Sequence, residues 1–269
     1  MSAQLGMPSN ESVDQTLISL ENVTKTFSTP SGKITVLSNI SLGVQRGKTL
    51  CIVGPSGCGK TTILNLISGF LSPTSGIVKI NGRQVKGPGS DRAVVFQRDS
   101  VFPWLTVRHN LEYGPKVRGV PRQQWAKRID EYLEKVGLKD VANHYPKQLS
   151  GGMRKRVDIA RAYANQPDIL LMDEPFGSLD VMTKELMQKD LIELSYKEQK
   201  SLIFITHDIE EAVFLGDEVL VMTRRPPNVR KRVDVPFAKP RNINLKLEPE
   251  FQAMRREIDA ILKERDLRA

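Results

Sequence analysis

Hydrophobic and polar positions alternate loosely from Leu17 to Lys25 and again from Val36 to Val44, with Ser31-Gly32 as turn residues between them. Period-two alternation of this kind predicts an antiparallel β-region at the front of the chain. Thr49-Leu50-Cys51-Ile52-Val53 is a short apolar run of the type that makes a buried strand, and Thr62 to Ile67 then takes on helical character. Gly76 to Ile80 and Gln84-Val85 flank Asn81-Gly82, a strong hairpin signal. Further buried strands are predicted at Ala93 to Phe96, Ile169 to Met172 and Leu202 to Thr206. From Thr106 to Gly137 the period becomes helical, with Trp125, Ile129, Leu133 and Val136 spaced by threes and fours and with Gly114-Pro115 and Gly119 read as breaks. Met153 to Ala162 reads as another helix, and Glu250 to Arg265 as a terminal amphipathic one with Phe251, Met254, Ile258, Ile261 and Leu262 on one side. Strands alternating with helices predict an α/β fold with an antiparallel β-subdomain and a small helical subdomain.

At 269 residues the chain is long enough for one large or two small domains with a sizeable core. The formal net charge of +9 suits a nucleic acid, an anionic membrane surface or an anionic ligand such as ATP, and does not choose among them. Two cysteines make no disulfide framework, which points to a reducing compartment and the cytosolic side. Residues 1–16 read as a flexible polar tail without an apolar signal region, and no later run approaches the roughly 18 apolar residues of a spanning helix. By this reading the chain is neither secreted nor membrane-spanning by itself. Residues 224–269 form a basic C-terminal extension, with Arg224, Arg225, Arg230, Lys231 and Arg232 close together and Pro236, Pro240 and Arg241 following, as expected of a solvated or phosphate-lipid-facing surface.

The strongest chemical signal is Gly54-Pro55-Ser56-Gly57-Cys58-Gly59-Lys60-Thr61, an uninterrupted G-x-x-x-x-G-K-[ST] loop between a strand and a helix. Its glycines let consecutive N–H groups turn toward a polyphosphate, and the helix N-terminus adds partial positive charge. Lys60 is expected to reach the β- and γ-phosphates and the Thr61 hydroxyl to ligate Mg²⁺. The Cys58 thiol is expected in the electropositive mouth of the loop with a lowered pKa. Phe27, at the end of the first strand, could stack on a base or simply pack. Gln97 follows a buried strand directly, at the sheet edge where ligands gather, so its carboxamide could bind Mg²⁺ or hold a water. Ser150-Gly151-Gly152 opens a helix, either as a second phosphate site or as an ordinary N-cap. Asp173-Glu174 ends another apolar strand; the first carboxylate can hold Mg²⁺ through water and the second can orient or deprotonate an attacking water. Ser178-Leu179-Asp180 opens a helix, and His207 follows the last buried strand.

Taken in this order, the phosphate loop, Gln97, Leu149-Ser150-Gly151-Gly152, Asp173-Glu174, Ser178-Leu179-Asp180 and His207 resemble the ATP-binding cassette of ABC transporters over residues 17–223. The resemblance implies a P-loop NTPase core with its helical subdomain at about 104–165. It implies nucleotide contacts by Phe27, Gly54 to Thr61, Thr62, Ser150, Gly151, Gly152 and Asp180, and Mg²⁺ contacts by Thr61, Gln97 and Asp173. Glu174 becomes the catalytic base, His207 the γ-phosphate switch, and Gln97 the magnesium-sensing glutamine of the loop that meets a permease. ATP then lies between two head-to-tail copies, each offering Ser150-Gly151-Gly152 to the other's phosphate loop. Met153, Phe102-Pro103-Trp104 and Pro240-Arg241 are similar to cassettes of nitrate, sulfonate and taurine importers. An importer of that type implies a peripheral place on the cytoplasmic face of the membrane, permease subunits as partners, an extracytoplasmic solute-binding protein acting indirectly, and no nucleic acid. Phe102 and Trp104 are expected either to line the groove for a permease helix or to pack in the core.

Other nucleotide-dependent classes leave different traces. The chain has no Asn-Lys-x-Asp segment for reading guanine, and the loop and Ser150 are separated by too few residues for the long coiled coil of a chromosome-type ATPase. A single phosphate loop is unlike the ribosome-acting relatives with two cassettes, and the stretch after Thr223 is too short for the regulatory domain of maltose-type importers. A lipoprotein-type export ATPase shares every motif and is the alternative.

Overall fold

The computed structural model describes residues 16–30, 32–177, 179–223 and 228–263. Ser31, Ser178, Arg224, Arg225, Arg265, the side chain of Arg230 and the N-terminal tail up to residue 15 lie outside the described residues.

Strands β1 (Thr16–Thr29) and β2 (Gly32–Gln45) form the long antiparallel hairpin predicted by the first two alternating stretches. With β4 (Ser75–Ile80) and the short β5 (Arg83–Gln84) they make a four-stranded sheet in the order β2-β1-β4-β5. Asn81 and Gly82 both have positive φ, 49° and 70°, as a two-residue hairpin turn with the twist of its flanking strands requires.

The second sheet has six strands: β3 (Thr49–Val53), β6 (Arg92–Val95), β7 (Ile169–Asp173), β8 (Ser201–Ile205), β9 (Glu218–Thr223) and β10 (Asn228–Asp234), in the order β10-β9-β3-β8-β7-β6. All pairings are parallel except β10 on β9. Because side chains alternate between faces, one register builds two cores. Leu50, Ile52, Ile203, Ile205 and Leu171 face helix α1 (Lys60–Ser68) and the antiparallel sheet. Cys51, Val53, Phe204, Leu170 and Met172 face the helices on the other side.

Those helices are α2 (Val107–Val117), α3 (Arg122–Lys135), α4 (Gly151–Ala164), α5 (Val181–Glu198), α6 (Ile209–Leu215) and α7 (Pro249–Lys263). The first three pack against one another, with Trp125, Ile129 and Leu133 buried along α3. Gly114-Pro115 does not break α2: the helix runs through both and stops only before Gly119, whose φ is 68°. The proline falls in the last turn, where a single missing N–H costs little further helix. Gly114 is also where α2 meets the end of α4, since a β-carbon there would stand 1.7 Å from Asn165 Oδ1.

The residues after Thr223 are tied to the same body. Strand β10 extends the large sheet, and Phe251 and Ile258 of α7 are buried while Met254, Ile261 and Leu262 pack at the edge of the core. Lys231 and Arg232 pair with Glu257 and Glu218. Arg241 is 5% exposed, and its guanidinium donates to the carbonyls of Val213, Phe214 and Gly216 at the end of α6 and to Phe237. These are the orphan acceptors of a helix C-terminus. Arg241→Met should therefore lower the stability of the whole domain by about 3 kcal/mol, through buried carbonyls left unpaired. Urea unfolding measures this as a lower midpoint at unchanged slope; an unchanged midpoint would show that those carbonyls find water instead.

Candidate active site

Four parallel strands deliver their following residues to one edge of the sheet. After β3 comes the phosphate loop, which ends on α1. Gly54 passes so close to its neighbours that a β-carbon would lie 2.7 Å from Met222 O and 2.8 Å from Cys58 Sγ. Gly59, at φ 103°, caps α1 in a conformation open to glycine, and a β-carbon there would meet Leu37 Cδ2 at 2.7 Å. Lys60 is buried at 7% exposure, and its Nζ donates to Gly54 O at 2.7 Å and Pro55 O at 3.2 Å. Its ammonium thus lies inside the curl of the loop. Ser56 and Gly57 are exposed at the crest, and Thr61 and Thr62 follow Lys60 in the first turn of α1, whose N-terminus carries partial positive charge.

The Thr61 hydroxyl donates to Asp173 Oδ1 at 3.3 Å, joining the end of β7 to the start of α1. Burial raises the Asp173 carboxyl above the usual carboxylate range, with the Thr61 hydrogen bond opposing and the neighbouring Glu174 charge reinforcing the shift. Glu174 has φ 44°, and its N–H donates to Ile205 O at 2.9 Å, so the main chain turns its carboxylate out of the sheet. Glu174 Oε2 accepts from Gln97 Nε2 at 3.3 Å and lies 3.1 Å from His207 Nδ1. Gln97 comes from the segment after β6 and His207 from the segment after β8. Neighbouring strands thus place a carboxamide and an imidazole on either side of one carboxylate.

Ser150 and Asp180 occupy different ground. Each caps a helix: Ser150 Oγ accepts from Met153 N at 3.2 Å on α4, and Asp180 Oδ1 from Thr183 N at 3.0 Å on α5. The Thr183 hydrogen bonds hold the exposed Asp180 carboxyl below its ordinary value. A β-carbon on Gly152 would stand 3.1 Å from Thr183 Cγ2, so the two helix N-termini sit side by side. Among the described residues, Ser150, Gly151, Gly152, Asp180 and Phe27 make no hydrogen bond to the phosphate loop, Asp173, Glu174 or His207. Phe27 is half-buried in the β1–β2 arm with Lys25 Nζ 5.1 Å from its ring centre.

Two expectations about side chains change. Cys58 is 1% exposed, and burial pushes its thiol up despite the Lys60 charge nearby. The loop turns Sγ toward the core beneath Gly54 rather than toward its mouth, so the expected lowered pKa does not arise. Trp104 is 68% exposed, which excludes core packing for it. Phe102 is half-buried between Trp104 and Tyr113, with ring centres 5.5 and 4.6 Å away, and the Arg161 guanidinium lies 5.0 Å from its ring centre. Asn110, fully buried, accepts from Phe102 N and donates to the carbonyls of Phe102, Leu105 and Thr106.

Sequence reasoning missed a group of charged residues on α4. Lys155 Nζ donates to Phe96 O at 2.9 Å and Gln97 O at 3.2 Å, Arg154 pairs with Asp99, and Arg161 donates to Ser100 O. The available signal was Lys155 and Asp158, two charges three apart on the face of α4 that also carries the buried Ile159 and Ala162.

A glycine loop wrapped on a lysine at a parallel sheet's edge, facing an Asp-Glu pair, defines a P-loop nucleotide-binding domain. The ABC transporter family model matches residues 37–177. The chain is 41% identical over 222 residues to the taurine import ATP-binding protein TauB of Jannaschia sp., covering 82% of this chain and 83% of that protein. It is 42% identical over 255 residues to the nitrate import ATP-binding protein NrtD of Synechocystis sp., covering 93% and 96%. Among solved structures, a dimeric post-hydrolysis state of the ATP-binding cassette MJ0796 bound to ADP and Pi superposes with a TM-score of 0.72 at 32% identity, over 82% of this chain and all of that one. The chain belongs to the ABC transporter family as an ATP-binding subunit, and its fold is that of the ABC ATPase. Its chemistry is ATP hydrolysis coupled to transport.

The buried thiol predicts the labelling behaviour of the phosphate loop. N-ethylmaleimide should modify neither Cys51 nor Cys58 appreciably in the folded protein at pH 8, and both within minutes in denaturant, as followed by intact mass. Rapid single labelling of the native chain that is lost in Cys58→Ser would show an accessible thiol and contradict the burial.

Proposed function

We propose that the chain powers an importer of a small anionic solute, in the class of nitrate, sulfonates or taurine, as one of two head-to-tail copies bound beneath a membrane permease. The carrying observation is the convergence of Gln97 and His207 on the Glu174 carboxylate beside the Thr61–Asp173 pair. The likeness to taurine and nitrate import subunits over most of the chain supports the solute class. Among the described residues no helix is long and apolar enough to cross a membrane, which accords with attachment to the cytoplasmic face through separate subunits.

In this reading the phosphate loop from Gly54 to Thr62 holds the β- and γ-phosphates through its N–H groups, and Lys60 turns from the loop carbonyls to the phosphate oxygens. The Thr61 hydroxyl and Asp173 carboxylate are hard oxygen donors 3.3 Å apart, a donor set that fits Mg²⁺, with Gln97 as a third ligand. Bound there, Mg²⁺ would neutralise phosphate charge. Glu174 takes the proton of the attacking water, a role suited to a carboxylate held only by a carboxamide and an imidazole. His207 swings from Glu174 to the γ-phosphate when the nucleotide arrives. Phe27 stacks on adenine. Ser150, Gly151, Gly152 and Asp180 make no hydrogen bond to this cluster among the described residues, and a second copy in head-to-tail order brings them onto the nucleotide. Trp104, exposed on the loop that Asn110 holds and that follows Gln97 in the chain, meets the permease. An extracytoplasmic binding protein delivers solute to the far side of that permease.

The test of the assignment as a whole is co-purification with the membrane subunits, followed by uptake of nitrate, sulfonates and taurine into vesicles; outward movement of lipid-linked cargo alone would favour the export class. For the base, Glu174→Gln should bind ATP and close the dimer while turnover falls by about 10²-fold or more. Near-normal hydrolysis by that variant would remove Glu174 from the role. For the composite site, a covalent tandem in a Glu174→Gln background can carry Lys60→Ala and Ser150→Arg. Lesions in different copies should leave one occluded nucleotide per tandem and lesions in one copy almost none. The reverse pattern would mean that Ser150 serves its own phosphate loop. For the permease contact, Trp104→Ala should weaken co-purification while sparing ATP binding by the isolated subunit.

A further inference from the structure

Beyond Val95 the main chain leaves its ladder with β7, and residues 96–100 are held by side chains of α4. At the centre of these contacts is a buried ion pair: Lys155 and Asp158 have side-chain exposures of 1% and 0%, with Nζ 3.8 Å from Oδ2. Oδ1 of Asp158 accepts from Ser100 Oγ and Arg161 Nη2, both at 2.6 Å, whereas Oδ2 has no hydrogen-bond partner. The ammonium therefore spends its donors on the carbonyls of Phe96 and Gln97 although an unbonded carboxylate oxygen lies within reach. A buried ion pair adds little stability over an apolar pair of the same volume, so this arrangement is better explained by what it orients. It orients the main chain at the point where the Gln97 side chain departs for Glu174, and it does so from the helix that Ser150 caps.

We propose that Lys155 is a positioning residue for Gln97, clasping the Phe96 and Gln97 carbonyls so that Gln97 and the Ser150 end of α4 move as one body. The inference rests on the role given to Gln97 under the proposed function. An ammonium with three donors on a flexible stem can hold two adjacent carbonyls at once, with Asp158 supplying the balancing charge. Removing it loosens the carboxamide without touching the phosphate loop, so the loss belongs in turnover rather than in nucleotide affinity.

Lys155→Met keeps the buried volume, and Asp158 remains paired with Arg161 and Ser100, so the variant is not left with a stranded carboxylate. ATP turnover by the purified chain is measured for Lys155→Met, Lys155→Gln, Gln97→Ala and the Lys155→Met/Gln97→Ala double variant, with fluorescent-nucleotide affinity and melting temperature in parallel. The expected result is that kcat falls about tenfold in Lys155→Met at unchanged nucleotide affinity. Lys155→Gln, which restores an N–H donor without the charge, should recover most of it. In the Gln97→Ala background Lys155→Met should change kcat by less than about twofold, because the two act through one contact. Independent, multiplicative losses in the double variant would overturn the inference, as would failure of Lys155→Gln to recover turnover while its melting temperature is normal. Normal turnover by Lys155→Met beside an impaired Gln97→Ala refutes the inference alone; normal turnover by Gln97→Ala refutes the role of Gln97 and the inference with it.

Discussion

The parallel register of β3, β8, β7 and β6 is the constraint from which the rest of the molecule follows. Thr49 aligns with Leu202, Leu202 with Leu170 and Leu170 with Ala93, so the strands end at nearly the same height. What each strand hands on then meets at one edge: the phosphate loop, the Asp173-Glu174 pair, Gln97 and His207. A slip of one residue in any pairing would send apolar side chains to the wrong core and turn the following polar residue away from the others. Packing and chemistry are therefore specified by the same hydrogen-bond ladder, and neither can drift without the other.

The parts legible in sequence are those where local composition and tertiary context agree. Alternation, apolar runs and Asn81-Gly82 mark strands and a turn because each fixes backbone geometry over a few residues. The phosphate loop is legible because its spacing is itself a geometry. Legibility fails where a distant partner decides. Gly114-Pro115 reads as a break, yet the proline falls in the last turn of α2 and Gly114 lies against Asn165 at the end of α4. Cys58 reads as a reactive thiol from its neighbours in sequence, yet its orientation is decided by the close passage of Gly54 over Sγ. The extra edge strand β10 and the buried Arg241 carry no periodic signal, since one is a short basic stretch and the other a single charge satisfied by carbonyls some 25 residues earlier.

Charge shows the same division. The excess of positive residues reads as a surface property, and part of it is one, as in the paired Lys231 and Arg232. Another part is internal carpentry: Lys60, Lys155 and Arg241 are all buried and each donates to main-chain carbonyls. Long cationic side chains suit this work because they reach acceptors that helices and strands leave unsatisfied. A count of charges cannot separate the two uses, whereas a count of unpaired carbonyls can.

The four hydrogen bonds that Asn110 makes to residues 102–106 have a mechanical meaning. A loop that already holds one shape would lose little conformational entropy if a partner seated on it, so any contact area at Trp104 would convert into affinity with a small ordering penalty. Stiffness also governs how a push travels. A slack loop would absorb displacement by bending, whereas one stapled to α2, with its Phe102 ring under the Arg161 guanidinium of α4, passes that displacement to two helices at once. Mechanically, this segment is a lever arm whose fulcrum is a single buried carboxamide.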